Sequence, residues 1–336
     1  MHSAYGTGVP STPDVLTMGR VGVDLYPDQV GVPLADVRTF RKMLGGSATN
    51  VAVAAARLGH RSAVITKVGD DPFGPYVRRA LEEFGVDSSR VGTHPTLRTP
   101  VVFCEIFPPD NFPILFYRQP TAPDMTIARD ELDFDGIASV PLFWTTGTGL
   151  SAEPSRTATL AALERRARRP ITIHDLDFRP MFWADVADAG QLGREATARA
   201  SVVVGGRTEA IPLVGDRSPS ATAQALLELG PELAVVKLGP EGVLARTAGG
   251  EEVTVPPIPV EVVNGLGAGD AFGGALCHGL LQGWPLTRTL RFANAAGALV
   301  ASRLGCADDM PTEDEVEELL RATETRGQRA PEQAEA

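Results

Sequence analysis

Short β-branched runs alternate with Ala-rich or amphipathic segments along most of this chain. Residues 14–23 (DVLTMGRVGV) read as a first buried strand, which is followed by Asp24. Residues 47–58 (SATNVAVAAARL) then read as a helix, residues 62–68 (SAVITKV) as a strand and residues 75–84 (PYVRRALEEF) as a helix. Further strand-like runs are LFWTT (142–146), ITIHDLD (171–177), SVVVGG (201–206) and LAVVKLG (233–239). Such alternation builds a parallel sheet with helices on its faces, so it predicts a doubly wound α/β domain.

One region interrupts this alternation. Residues 99–107 (TPVVFCEIF) and 112–117 (FPILFY) are aromatic and β-branched, and the turn-forming PPDN lies between them. The pattern predicts an antiparallel hairpin, which we interpret as a small β flap inserted into the α/β domain. Residues 1–13 and 325–336 are expected to be flexible tails.

The balance of charge limits the expected partners. The chain has 42 acidic and 31 basic residues, for a formal net charge of −11. An acidic protein repels nucleic-acid phosphates and anionic lipid, so neither nucleic acid nor a membrane is an expected partner. No apolar run resembles a membrane helix or a signal peptide, so the cytoplasm is the expected location. The three widely spaced cysteines, Cys104, Cys277 and Cys306, indicate reduced thiols.

The stretch NGLGAGDAF (264–272) carries the clearest chemical signal. Its small residues let backbone N–H groups approach a ligand, and the helix that follows directs its positive N-terminal end to the same place. Gly267, Ala268 and Gly269 thus form a candidate anion site, and Asp270 is a candidate base for the proton of an incoming hydroxyl. In phosphoryl transfer, such a base and an N–H cradle form nearly a full catalytic set. The alternative is that Asp270 only caps the helix.

Two motifs at opposite ends of the chain indicate a family. GGSATN (45–50) together with GAGD (267–270) resembles the two signatures of the ribokinase-like (PfkB) carbohydrate kinases, and VGDDPFG (68–74) resembles the segment after the first signature. The resemblance covers residues 14–322. It implies an ATP- and Mg²⁺-dependent kinase domain with three layers, α/β/α. P-loop and dinucleotide-binding motifs are absent from the sequence where they would be expected.

The resemblance also implies a β lid and roles for individual residues. The lid segments are expected near residues 34–44 and 98–120, and we expect the protein to form a homodimer through the lid. The implied substrate-binding residues are Asp24, Gly45, Gly46 and Asn50; the implied ATP-binding residues are Lys237, Gly239, Gly242 and Asn294; and Glu209 is implied to orient Mg²⁺ through water. The alternatives are a turn-capping role for Asp24 and ordinary helical positions for Asn50 and Asn294.

The sequence departs from the family pattern at two places. Asn264-Gly265 stands where the family turn begins with Asp-Thr, and the family Asp contributes to a monovalent-cation site in some members. This difference puts potassium activation in doubt. Gly206 stands where the family commonly has an Asn, which removes one polar partner from the site around Glu209.

Two arginines suggest the class of substrate. The planar guanidinium groups of Arg118, in FYRQP, and Arg179, in DFRP, suit a carboxylate, so a sugar acid is expected. Four stretches resemble the subfamily that phosphorylates the 6-hydroxyl of 5-dehydro-2-deoxygluconate in inositol catabolism: TMGRVGVDLYP, FPILFYRQPTAPD, DLDFRPMFW and NGLGAGDAFGGALCHGLL. Other interpretations remain, namely a 2-keto-3-deoxygluconokinase, a fructokinase, a non-catalytic sugar sensor, or a surface salt bridge for either arginine alone. His174 is interpreted as a buried strand histidine, and the run from 165 to 169 (RRARR) as the solvated end of a helix.

Overall fold

The computed structural model describes residues 12–168 and 171–329. Its strands are β1 (Val15–Met18), β2 (Gly22–Pro27), β3 (Phe40–Gly45), β4 (Ser62–Gly69), β5 (Val86–Asp87), β6 (Val91–His94), β7 (Val101–Cys104), β8 (Ile114–Tyr117), β9 (Leu142–Thr146), β10 (Ile171–Asp175), β11 (Val202–Gly206), β12 (Leu233–Lys237), β13 (Val243–Thr247) and β14 (Glu252–Val255). Its α-helices are α1 (Ser47–Arg57), α2 (Phe73–Glu83), α3 (Phe134–Ser139), α4 (Ser155–Arg166), α5 (Val186–Ala198), α6 (Arg207–Val214), α7 (Pro219–Leu227), α8 (Ala268–Leu281), α9 (Leu286–Ala301) and α10 (Glu313–Arg329).

The larger sheet has ten strands, nine of them in the order β14-β13-β12-β11-β10-β9-β1-β4-β5, with β6 beside β4. From β12 through β4 neighbouring strands are parallel, and β13 and β14 close one edge as antiparallel strands. Alternate residues of a strand point to opposite faces, so Trp144 of β9 packs with α1 and α8 while Phe143 packs with α3 and α4. On the second face, Val203 of β11 packs against α6 and α7. The predicted three-layer α/β/α fold is confirmed.

The smaller sheet has the order β3-β2-β7-β8. The predicted antiparallel hairpin is β7 and β8, in which Val101 pairs with Tyr117. One sequence prediction was wrong here, because residues 14–23 do not form one strand: β1 ends at Met18 and β2 begins at Gly22 in the other sheet. The chain leaves the large sheet at Gly19, where a Cβ atom would lie 2.9 Å from both Ala48 Cβ and Thr146 Oγ1. Asp24 therefore lies within a strand of the smaller sheet and not in a loop after the first strand.

The last helix extends farther than the sequence prediction. Residues 325–329, which were assigned to a flexible tail, continue α10. Val316 in α10 is fully buried, and once a helix is anchored each added residue gains a backbone hydrogen bond. The other predicted tail positions, 1–11 and 330–336, lie outside the described residues. Within residues 12–168 and 171–329, no helix combines the length and apolarity needed to cross a membrane.

The arginine run at the end of α4 is not simply solvated. Arg166 is only 2% exposed and donates hydrogen bonds to the carbonyl oxygens of Ile137, at 2.9 Å, and Val140, at 2.7 Å. The solvated-end prediction was wrong for this residue, because the C-terminal end of α3 and the segment that leads into β9 present carbonyl groups that a five-donor guanidinium can satisfy. His174 is 0% exposed within β10, so its interpretation as a buried strand histidine is confirmed.

Candidate active site

The glycine-rich turn leads directly into α8. Gly267 is the N-cap residue and has a φ of 81°, in the left-handed region that glycine adopts readily. A Cβ atom there would also lie 2.5 Å from Cys306 Sγ, so a larger residue would clash. The first N–H groups of a helix have no partner within the helix, and those of Ala268 and Gly269 occupy these positions. The turn thus has the features of an anion site that the sequence predicted.

Asp270 lies in the first turn of α8 and is held by α1. Its Oδ2 accepts a hydrogen bond from Asn50 Nδ2 at 2.8 Å. Burial raises the pKa of Asp270 to about 6, although the bond from Asn50 opposes the rise. A carboxylate with this pKa is ionised at neutral pH and is a stronger base than an exposed aspartate. Asn50 itself is 3% exposed, and its Oδ1 has no hydrogen-bond partner among the described residues, so this oxygen can accept from a ligand.

A cavity of about 70 Å³ lies between the two sheets and above this turn. The structure brings most of the predicted catalytic and substrate-binding residues to its wall: Asp24, Gly46, Asn50, Arg118, Arg179, Gly267 and Asp270. Gly46 has a φ of 105°, and a Cβ atom there would lie 2.4 Å from the carbonyl oxygen of Arg20. This close approach allows α1 to begin at the cavity wall.

Asp24 lines the cavity from β2 of the smaller sheet. It is 8% exposed, and its Oδ2 accepts a hydrogen bond from the Tyr26 hydroxyl at 3.3 Å. Burial raises the pKa of Asp24 to about 7, although the positive charge of Arg20 opposes the rise. Gly45 is necessary for this arrangement, because a Cβ atom at that position would lie 2.2 Å from the carboxylate of Asp24.

The two predicted carboxylate-binding arginines already contact carboxylates of the protein. Arg118 Nη2 lies 2.7 and 3.0 Å from the two oxygens of Asp124, which is 2% exposed. Arg179 Nε lies 3.2 Å from Asp177 Oδ1, and Asp177 is 3% exposed. Burial alone would raise the pKa of Asp177, but Arg20 and Arg179 hold it well below its usual range. Both arginines are therefore oriented by carboxylates of the protein itself.

Arg20 is a cavity residue that the sequence analysis did not identify. It is 8% exposed, and its Nη2 donates to Asp177 Oδ2 and to Ser47 Oγ, both at 3.0 Å. Its Nε has no hydrogen-bond partner within the described residues. The only sequence signal was an arginine inside the apolar run of residues 14–23. Three guanidinium groups, those of Arg20, Arg118 and Arg179, thus lie together at the cavity wall, beside the carboxylates of Asp124 and Asp177.

Two residues predicted for the nucleotide site, Lys237 and Glu209, do not line the cavity. Lys237 Nζ is 4.0 Å from Asp175 Oδ1, and a Cβ atom on Gly269 would lie 3.4 Å from Lys237 Nζ. Burial alone would lower the pKa of Lys237, but Asp175 and Glu209 raise it to about 12. Glu209 Oε2 accepts a hydrogen bond from the backbone N–H of Gly206, which caps α6.

The remaining predicted ATP-binding residues are at the far edge of the large sheet. Gly239 and Gly242, with φ of 59° and 94°, form the turn between β12 and β13. Asn294 Nδ2 donates to the carbonyl oxygen of Pro256 at 3.0 Å. None of these three residues lines the cavity described above. Their roles in ATP binding stay predictions.

Comparisons with known proteins agree with this geometry. A family model described as pfkB family carbohydrate kinase matches residues 12–313. A 5-dehydro-2-deoxygluconokinase from Clostridium beijerinckii is 33% identical over 315 residues, covering 92% of this chain and 93% of the relative. The protein of the same name from Photobacterium profundum is 34% identical over 318 residues, covering 93% and 96%. A solved fructokinase double mutant from Vibrio cholerae O395, with fructose, ADP and a potassium ion bound, has a TM-score of 0.79 and 27% identity and covers 91% of this chain and 98% of that chain.

Proposed function

Because this chain belongs to the pfkB family of carbohydrate kinases, we propose that it transfers the γ-phosphoryl group of ATP to the 6-hydroxyl of 5-dehydro-2-deoxygluconate. The names of the two curated relatives support this substrate. The observation that carries the substrate class is the cluster of three guanidinium groups, those of Arg20, Arg118 and Arg179, at the cavity wall. A sugar acid offers these donors a carboxylate to bind, whereas a neutral sugar does not.

Asp270 is the proposed general base. Its carboxylate takes the proton of the acceptor hydroxyl while the hydroxyl oxygen forms a bond to the γ-phosphorus, and the bond between that phosphorus and the bridging oxygen of ADP breaks. The N–H groups of Gly267, Ala268 and Gly269 stabilise the charge on the transferring group. Asn50 orients Asp270 through the 2.8 Å hydrogen bond. Both the base and its orienting partner are thus in place before substrate binds.

The carboxylate of the substrate is proposed to bind at the arginine cluster. The Nε of Arg20 is a buried donor without a partner among the described residues, and an unpaired buried donor is unfavourable. Arg118 and Arg179 keep their donors oriented through Asp124 and Asp177. A substrate carboxylate would therefore meet donors that need no rearrangement.

ATP and Mg²⁺ are the proposed cosubstrate and metal. In the part of the chain that the structure describes, no group of three or more His, Cys, Asp or Glu side chains could hold a metal ion. The residues still fit Mg²⁺, because this ion keeps several waters and needs few protein ligands. Glu209, with one carboxylate oxygen used by Gly206, would hold a metal-bound water through the other. Mg²⁺ would neutralise phosphate charge, and Lys237 beside the turn would add a second positive charge.

The lid is proposed to close over the sugar acid and to pair two copies of the chain. The edge strand β8 exposes Leu115, at 47%, and Tyr117, at 61%. An exposed apolar edge strand is a surface that a second copy can cover. Sedimentation velocity of the wild type and of Tyr117→Asp tests the pairing: a dimer that the substitution weakens is expected, and a wild-type monomer would contradict it.

The experiment that tests the function is a coupled ADP-release assay on a panel of sugars and sugar acids. We expect the highest kcat/KM with 5-dehydro-2-deoxygluconate, a lower value with 2-keto-3-deoxygluconate and little turnover of fructose. Asp270→Asn, purified in the same way, controls for contaminating kinases. A preference for neutral sugars would contradict the sugar-acid assignment but leave kinase activity standing, and no turnover of any acceptor would contradict both.

A further inference from the structure

Asn264 is the first residue of the glycine-rich turn and is 0% exposed. Its Nδ2 donates to the carbonyl oxygen of Leu304 at 2.7 Å, and its Oδ1 accepts from the backbone N–H of Leu266 at 3.0 Å. Its own backbone N–H donates to the carbonyl oxygen of Ala301 at 3.1 Å. One side chain therefore ties the turn to the segment that follows α9.

The chemistry of the two partners fixes the orientation of this amide. The Leu304 carbonyl can only accept a hydrogen bond, and the Leu266 N–H can only donate one. An amide satisfies both at once, since it carries one donor and one acceptor group. An ionised aspartate at position 264 would satisfy Leu266 but would place a second acceptor against the Leu304 carbonyl. Two oxygens at hydrogen-bond distance with no proton between them repel, unless a cation lies between them.

We propose that the amide of Asn264 replaces a monovalent cation at this turn, so that the anion site is organised without potassium. The fructokinase double mutant similar to this chain was solved with a potassium ion bound. At position 264 the amide of Asn264 supplies the N–H group that binds the Leu304 carbonyl. An aspartate there would need a cation between its carboxylate and that carbonyl. Asn264 is thus a positioning residue, because it acts on the phosphoryl group only through the turn that it orders.

The position of this amide connects it to the anion site. Leu266, whose backbone N–H donates a hydrogen bond to the amide of Asn264, directly precedes Gly267, the N-cap residue of α8. Leu304 lies two residues before Cys306, whose Sγ would lie 2.5 Å from a Cβ atom on Gly267. One partner of Asn264 therefore adjoins the residue at which the N–H cradle begins, and the other lies two residues from a side chain that packs against that residue. Loss of the Leu304 bond is expected to loosen that cradle.

The test compares the wild type with Asn264→Asp at constant ionic strength in tetramethylammonium chloride, with KCl or NaCl titrated in. The activity measurements rest on the kinase function proposed above, whereas the melting temperature does not. Wild-type kcat should change by less than about twofold with potassium. Asn264→Asp should lose at least about tenfold in kcat without potassium, the expected scale for a buried acceptor left unpaired. Potassium should restore most of that loss.

Melting temperatures give the second readout. Saturating potassium should raise the Tm of Asn264→Asp by at least about 2 °C and leave that of the wild type within error, because a ligand stabilises only the state that binds it. Asn111→Asp, in the exposed turn between β7 and β8, adds the same charge and should show no potassium response. Wild-type activation of more than about fivefold by potassium, or an Asn264→Asp variant indifferent to potassium in both readouts, would overturn the proposal. If Asn264→Asp does not fold, the wild-type titration alone decides.

Discussion

The two ends of the proposed active site are built in different ways. The acceptor end, which comprises Arg20, Asp24, Asn50, Arg118 and Arg179, consists of side chains paired with buried groups. The nucleotide end, which comprises Glu209, Lys237, Gly239, Gly242 and Asn294, consists mainly of turns and partly exposed side chains. Within the acceptor end, a single carboxylate, that of Asp177, binds Arg20, Ser47, Thr148 and Arg179.

This difference indicates where specificity resides. A network that is fixed before binding recognises charge and shape without reorganisation, and it disfavours ligands that leave its charges unpaired. Backbone N–H groups recognise phosphate through geometry that many sequences can supply. We therefore expect substitutions at the acceptor end to change which sugar is used. Substitutions at the nucleotide end should change the requirement for metal or ATP without changing the sugar.

The largest effect is expected where the two ends meet, at Asp270. Asp270→Asn keeps an oxygen that can accept the hydrogen bond from Asn50 but removes the base. We expect kcat to fall by at least about 10²-fold, the lower range for loss of a general base. ATP binding, measured by calorimetry, and Tm should be nearly unchanged. A variant with more than a tenth of the wild-type kcat would show that Asp270 is not the base.

The second prediction separates sugar acids from neutral sugars. Removing Arg179 leaves a bound carboxylate short of a partner, which costs on the order of 2–5 kcal/mol. Arg179→Ala should therefore raise KM for 5-dehydro-2-deoxygluconate by about 30-fold or more, and Arg118→Ala by a similar or smaller factor. Activity on fructose should change little in either variant.

Two further variants sharpen this test. Arg20→Met should likewise raise KM for the sugar acid and leave activity on fructose little changed. It should also lower the Tm, because the buried carboxylate of Asp177 loses Arg20, a partner that is 8% exposed. Arg207→Ala, which removes an exposed arginine paired with Asp216, is the matched control and should behave as the wild type. Equal losses on acidic and neutral substrates would mean that the arginines support the fold and not the choice of substrate.

The contrast between the two ends also explains what the sequence could predict. Alternating strands and helices, the hairpin of β7 and β8 and the turn before α8 are local patterns, and the structure contains all of them. Asp24 was assigned to the end of the first strand because no local signal marks the change of sheet after Met18. That change depends on packing of Gly19 against Ala48, a contact distant in sequence.

The arginines that bind groups distant in sequence show the same limit. Arg118 and Arg179 were found because arginine suits a carboxylate, but their partners Asp124 and Asp177 were not. Arg20 was missed altogether, since Asp177 is 157 positions away in the chain. Arg166 was assigned to a solvated helix end because its carbonyl partners come from other segments. Polar groups whose partners are far apart in sequence leave no periodic pattern to detect.

The third prediction concerns pH. Asp270 must be ionised to accept a proton, and burial raises its pKa to about 6, so activity should be present above that pH and fall below it. At saturating ATP, log(kcat/KM) should decline with unit slope below pH 6 and be roughly tenfold lower at pH 5 than at its plateau. A control at each pH confirms by circular dichroism that the protein stays folded. A profile that is flat down to pH 5 would exclude an elevated pKa for the base.

The smallest effect is expected at Glu209. It tests whether the nucleotide end, with its turns and partly exposed side chains, tolerates substitution without a change in sugar use. Glu209→Gln removes the charge but keeps an oxygen that can accept the Gly206 N–H, so the cap of α6 and the Tm should be preserved. The Mg²⁺ concentration for half-maximal rate should rise, by less than about tenfold, because ATP phosphates and water supply most of the ligands. KM for the sugar acid should not change, since Glu209 does not line the cavity. A titration of rate against free Mg²⁺ at fixed ATP measures both quantities. An unchanged Mg²⁺ requirement would make Glu209 a helix cap alone, and a raised KM for the sugar acid would mean that the two ends are coupled.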